Sequence, residues 1–229
     1  MGTEQLGIRF GTPVSAGDPP RVCLPRPPHL ATVCGISCGM SARHFFETLR
    51  AERVTMLVDT RQTTTYRDAR FAHGDDFVYA CGRHDVGYTH VAELAPTADL
   101  RATYHRVADG KSASRDERAV AWTAFLKGYA KLVATDRKIL REGSPLRELL
   151  YGPHKSIAFL CACPHHEDCH RRVLLGMVAR HVAGVGIANL SPEGVGGFAP
   201  SLKTPRRYLL EPIPSADIPA SHMPGRKTP

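Results

Sequence analysis

The segment FLCACPHHEDCHRRVLLGMV, Phe159 to Val178, gathers three cysteines, three histidines, two acids and two arginines between an apolar run and a helical pattern. Three chemistries are open to it. The first is a metal site: Cys161, Cys163, Cys169 and His170, with His165 or His166 as substitutes, offer the thiolate and imidazole donors that zinc takes in a tetrahedral centre. Against it, the spacing C-x-C-x5-C-H lacks paired C-x2-C or H-x3-H elements, and adjacent Cys169 and His170 at a helix start are expected to point apart. The second is a reactive thiol. Cys169 and His170 fall at or near the first turn of the helix that follows, where unsatisfied amides stabilise a thiolate. Cys161 serves equally well as a small buried hydrophobe. A cysteine-phosphatase loop is excluded, since the positions six on from Cys161, Cys163 and Cys169 are Glu167, Cys169 and Leu175 instead of arginine.

The third is an anion site. Arg171 and Arg172 sit in the helix's first turn, where the dipole disfavours cations by about 0.3 to 1 kcal/mol, so something negative should accompany them. Glu167 and Asp168 are the local candidates; a phosphate or carboxylate held by arginine forks and helix amides is the functional one. A second loop, DTRQTTTYRDAR, adds Asp59, Arg61, Arg67 and Arg70, with hydroxyls from Thr63 to Tyr66. Asp59 is suited to orienting an arginine, binding a ribose hydroxyl or acting as a base, and also to pairing with Arg61 in the interior. Gly35 and Gly39 in GISCG would let backbone approach a ligand, yet the G-x-G-x-x-G fingerprint is missing and a turn accounts for them as well.

The chain of 229 residues is long enough for one core, and its formal charge of +8 permits anionic partners. Residues 30 to 199 hold 22 basic against 18 acidic side chains, so half of that excess lies in the two ends. Without a basic block or an aromatic-interleaved basic stripe, nucleic acid is permitted rather than indicated. Seven cysteines, an odd number, with no leading apolar stretch before a small-residue cleavage site, point to reduced thiols in a cytoplasm. No run approaches the roughly 18 apolar residues of a membrane helix.

Residues 1–29 and 200–229 are rich in proline and read as irregular arms, the second one basic. Between them one α/β domain is expected over 30–199. LATVCGIS (Leu30 to Ser37), VTMLVDT (Val54 to Thr60), YTHVAEL (Tyr88 to Leu94) and SIAFLCA (Ser156 to Ala162) read as strands, with a weak fifth at Gly186 to Leu190. Helices are expected after Ser41, from Asp75 to about His84, from about Arg115 through Val133, after Ser144 and Pro145, and along Val173 to Val182; a long polar connection precedes Arg115. Strands apolar on both faces alternating with helices imply a three-layer sandwich around a mostly parallel sheet. Such sheets bind ligands at the strands' carboxyl ends, where these loops fall.

Taken together these segments resemble the domain of unknown function 488 family over about residues 30–184. The likeness rests on Gly35, Ile36 and Ser37 ending the first strand, Asp59, Thr60 and Arg61 ending the second, His90 to Leu94 as H-x-x-E-L, and Cys161 followed by Cys169, His170 and Arg171. The resemblance implies an architecture and a site but no reaction. Relative to it, Cys38 stands where a polar residue is expected, Thr60 where valine is usual, and Cys163 and His165 where the family carries an acid and other charged residues.

The expectation is an enzyme, a hydrolase or transferase, acting on an anionic nucleotide or nucleic-acid-derived substrate in a cleft at the strand ends. Asp59, Glu93, Cys161, Cys169 and His170 are its catalytic candidates, and Gly35, Ser37, Arg61, Arg67, Arg70 and Arg171 its binding candidates. That reading needs no cofactor. One alternative is a redox protein binding zinc, iron or haem through Cys161, Cys163, Cys169 and His170. The other is a non-catalytic nucleic-acid binder using the basic arms.

Overall fold

Ser156–Cys161 is buried at all six positions, and its side chains alternate between two apolar clusters, Ile157 and Phe159 in one, Ala158 and Leu160 in the other. A strand dry on both faces belongs inside a parallel sheet covered by helices. In the computed structural model, which describes residues 24–65, 71–110, 112–135, 139–163, 169–191 and 206–208, this strand is β4, and it lies between β1 (Thr32–Ser37) and β2 (Met56–Asp59). With β3 (Gly87–His90), β5 (Gly186–Ser191) and β6 (Arg206–Tyr208) the order is β3-β2-β4-β1-β5-β6. The first five strands run parallel, and β6 joins β5 antiparallel.

Two helices, α1 (Ala42–Ala51) and α2 (Gly74–Arg83), cover one face with Phe45, Phe46, Leu49, Phe77 and Cys81. The other face carries α3 (Ala98–Ala108), α4 (Arg115–Thr135), α5 (Pro145–Tyr151) and α6 (Arg171–His181), whose Trp122, Tyr129, Leu146, Leu150, Leu174 and Val178 close the second core. The result is an α/β three-layer sandwich. Local signals start the helices where expected: Ser41 accepts from the His44 amide, and Ser144, followed by Pro145, accepts from the Arg147 amide.

Several expectations need correction. The third strand stops at His90, and Ala92–Leu94 is a 3₁₀ turn. Val91 and Leu94 both enter the α4-side core, which a continuing strand would prevent by placing residues three apart on opposite faces. The polar connection before Arg115 contains α3, which buries no residue fully but packs the half-buried Leu100 and Tyr104, an i, i+4 pair set among polar neighbours, against the core; its start is capped by Thr97. The described parts of both arms join the domain. Leu24 bridges to Val182, the Tyr151 hydroxyl donates to the Pro25 carbonyl, and the C-terminal segment supplies β6. The remainder of both arms, together with Arg67, Arg70, His165 and His166, lies outside the described residues. Among the described residues no helix is long and apolar enough to cross a membrane.

The layout singles out one place. Helices α1 and α2 leave β1 and β2 toward one face, whereas α6 leaves β4, which lies between them, toward the other. Neighbouring strands whose chains depart in opposite directions form a topological switch point, the place where open parallel sheets bind ligands. The carboxyl end of β4 is Cys161.

Gly35 belongs to the framework. It lies inside β1, and a Cβ there would come 3.1 Å from Leu175 Cδ1 and 3.2 Å from Asn189 Oδ1, so its lack of a side chain lets α6 seat on the sheet. Gly35→Val should therefore lower stability by about 1–3 kcal/mol in urea denaturation through overpacking; an unchanged midpoint would mean that α6 yields freely.

Candidate functional site

The polar residues at the strand ends form two buried groups. One surrounds Asp59 at the end of β2 and the other Cys161 at the end of β4, with Thr60 between them. In register, Ser37 lies beside Cys161, and Asp59 beside both Leu160 and His90.

Asp59 is fully buried and receives a fork from Arg61: Nε donates to Oδ1 at 2.9 Å and to Oδ2 at 3.0 Å, and Nη2 donates to Oδ2 at 2.6 Å. The Arg61 amide also donates to Oδ1 at 3.0 Å, and the Tyr88 hydroxyl to Oδ2 at 2.8 Å. Arg61 Nη1 donates to the Ala72 carbonyl at 2.9 Å. Burial opposes the guanidinium's charge, but the hydrogen bonds and charge of Asp59 outweigh it and raise the pKa. Burial, the Asp59 charge and the hydrogen bond to it likewise raise the Tyr88 phenol. This is an internally paired ion pair. Arg61, expected as an anion holder, turns its fork inward.

Three sulfurs meet at the second group. Cys161 Sγ lies 3.5 Å from Cys163 Sγ, and the sulfurs of Cys161, Cys163 and Cys169 all fall within 4.8 Å of one another. His170, the residue before α6, brings Nδ1 to 3.8 Å from both Cys161 Sγ and Cys169 Sγ. The expectation that Cys169 and His170 would diverge is corrected: His170 has helical backbone angles, and its ring turns back over the strand end. Thr60 fixes that orientation. Its hydroxyl proton goes to the Leu160 carbonyl at 2.8 Å, so its oxygen accepts from His170 Nε2 at 2.9 Å. The Thr60 carbonyl, 3.2 Å from the same nitrogen, can only accept as well. Nε2 therefore carries a proton, and Nδ1 is the atom presented to sulfur. The Tyr129 ring meets the imidazole edge-on, 5.3 Å between centroids.

Arg171, only 1% exposed, donates Nε to Cys169 Sγ at 3.1 Å and Nη2 to the Cys163 carbonyl at 2.8 Å. The partner that an arginine in a helix's first turn demands is thus a sulfur from the same loop. Considering the protein groups by themselves, burial pushes the Cys169 thiol up. Hydrogen bonds with Cys161 and Cys163 and the charges of Arg171 and His170 reverse this and hold it well below its usual value. Burial would lower His170, but the Cys161 and Cys169 sulfurs carry it up to about 10. Cys163, hydrogen-bonded to the other two sulfurs and desolvated, is pushed well up.

The other candidates fall elsewhere. Ser37 accepts from the Gly39 amide at 2.9 Å, as a turn residue does. Gly35 packs under α6, and Glu93 is exposed on the 3₁₀ turn beyond β3. Thr60, Tyr88 and Tyr129 complete the two groups without any sequence signal of chemistry; Thr60 could have been suspected only as the residue between Asp59 and Arg61.

If the Asp59 and Arg61 pair is structural, Asp59→Asn leaves a buried guanidinium without its counter-charge and should cost about 3–5 kcal/mol in equilibrium unfolding. Tyr88→Phe, which removes one hydrogen bond to a charged group, should cost about 1.5–3 kcal/mol. A neutral Asp59→Asn would assign the carboxylate to something other than the fold.

No curated protein and no solved structure matches the chain significantly. The sequence model described as Domain of unknown function DUF488 matches residues 41–178, from the start of α1 into α6, with the Asp59 group and the cysteine group both inside. Because that match takes in more than half of its residues, the chain belongs to the DUF488 family.

Proposed function

We propose that this chain is a zinc-binding protein whose ion is held by Cys161, Cys163, Cys169 and His170 at the carboxyl end of β4. The observation that carries the reading is the convergence of three soft sulfurs within 4.8 Å of one another, with the imidazole Nδ1 3.8 Å from two of them. Zinc–sulfur bonds of about 2.3 Å at tetrahedral angles put sulfurs roughly 3.8 Å apart, so little adjustment is needed. Three features of the surroundings support it. The imidazole is oriented by Thr60 through its other nitrogen, as metal-bound histidines are. Three thiolates around a divalent cation leave a single negative charge, and the buried guanidinium of Arg171 balances it. The donor set, sulfur-rich and mixed with one imidazole, suits zinc over harder cations.

Haem fits less well, because its iron offers two axial positions on opposite sides and would leave two of the four converging donors unused. An enzyme gripping an anionic substrate with Arg61 and Arg171 has less support, since both guanidiniums are buried and engaged by Asp59 and Cys169. With four protein ligands the ion's coordination is closed, so its role is to tie the end of β4 to the start of α6 at the switch point.

Purified protein should contain about one zinc per chain, and cobalt substitution should give the intense visible bands of a tetrahedral thiolate site. Cys163→Ser and Cys169→Ala should each lose the ion. Thr60→Val, which removes the hydroxyl and keeps the shape, should weaken zinc affinity by roughly 10–100-fold while the fold persists. Metal-free wild type, or full zinc retention in both cysteine variants, would defeat the reading.

A further inference from the structure

Resting on the zinc reading above, we infer that the same centre is a modification site: a hydroperoxide oxidises the Cys163 thiolate, which closes a disulfide with Cys161 and expels the ion. The geometry separates the three sulfurs by access. Cys161 and Cys169 are buried at 6% and 1% exposure, whereas Cys163 is only half-buried, the most exposed of the three residues. It also separates them by electronic demand. Cys169 spends electron density on the Arg171 Nε–H at 3.1 Å, and a thiolate so engaged is the weaker nucleophile. Coordination would hold Cys163 as a thiolate, and among the described residues no arginine donates to its sulfur.

What makes the outcome a disulfide is the second sulfur. Cys161 Sγ stands 3.5 Å away, so an oxidised Cys163 has a resolving partner in contact before a second oxidant molecule arrives. The electron count closes. Cys163 sulfur attacks the hydroperoxide, the O–O bond breaks, and one oxygen remains as sulfenic acid while the other takes a proton and leaves as alcohol or water. Cys161 sulfur then attacks the sulfenic sulfur, the S–O bond breaks, and the departing hydroxide is protonated to water. The two sulfurs have lost two electrons and the hydroperoxide has gained them. Cys169 and His170 alone are too few donors to retain zinc. Among the described residues the competing thiols are shielded, for Cys34, Cys38 and Cys81 are all buried.

The test uses the full-length zinc-loaded protein titrated with hydrogen peroxide, reading zinc release with a chromogenic chelator and cysteine state by mass spectrometry with fragmentation. Release and a bond joining Cys161 to Cys163 should rise together, and dithiothreitol with added zinc should restore the starting state. Cys38→Ser and Cys81→Ala should leave the release rate unchanged. Zinc retained while peroxide is consumed, a bond from Cys163 to Cys169 instead, or first oxidation at Cys34, Cys38 or Cys81 would each overturn the inference. Zinc-free untreated protein would defeat the metal reading itself, and fragmentation would still decide whether Cys161 and Cys163 join.

Discussion

The contact between Arg171 and Cys169 governs the rest of the site. A guanidinium at 1% exposure in the first turn of a helix is disfavoured twice, by desolvation and by the helix dipole, and needs negative charge within reach. The Cys169 sulfur at 3.1 Å supplies it. Once Cys169 is anionic, the neighbouring donors have a reason to turn toward it: the Cys161 and Cys163 thiols and the His170 ring face inward, and the Arg171 fork reaches on to the Cys163 carbonyl. A cation among the sulfurs continues the same logic, because it lets the remaining thiols give up their protons in a dry environment.

Beside it the Asp59 and Arg61 pair solves the same problem with carboxylate in place of sulfur. Both pairs join residues two apart in sequence at the end of a strand or the start of a helix, where the backbone turns and lets such neighbours meet. Thr60 couples them. It is the middle residue of the first pair and orients the histidine of the second, so a shift of the β2 end would reach the sulfurs directly. The two groups therefore form one hydrogen-bonded polar layer at the end of the sheet, with both guanidiniums engaged inside it.

Much of the scaffold was legible. Five strands and five of the six described α-helices follow from apolar runs, capping residues and the 3.6-residue period, because those features report burial directly. Helix α3 escaped because only Leu100 and Tyr104 reach the core, half-buried among polar neighbours, and the 3₁₀ turn at Ala92 reads as strand because Val91 and Leu94 are apolar whichever backbone carries them. In the site, the donor set Cys161, Cys163, Cys169 and His170 was visible as residue types, but the divergence expected of Cys169 and His170 was a guess about side-chain direction. In sequence Gly35 fits a turn or a ligand's approach, and nothing in GISCG tells that α6 crosses above it.

By itself the sequence determined the elements, the α/β class and the residue types gathered at the strand ends, because hydrophobic period and backbone preference are local properties of the chain. Tertiary structure alone decided that β4 lies between β1 and β2, that Thr60 reaches His170 across 110 residues, and that Arg171 faces a sulfur instead of solvent. The physical reason is that electrostatic pairing and ligand geometry act over a few ångströms in space, and only strand order and helix placement set which residues come that close.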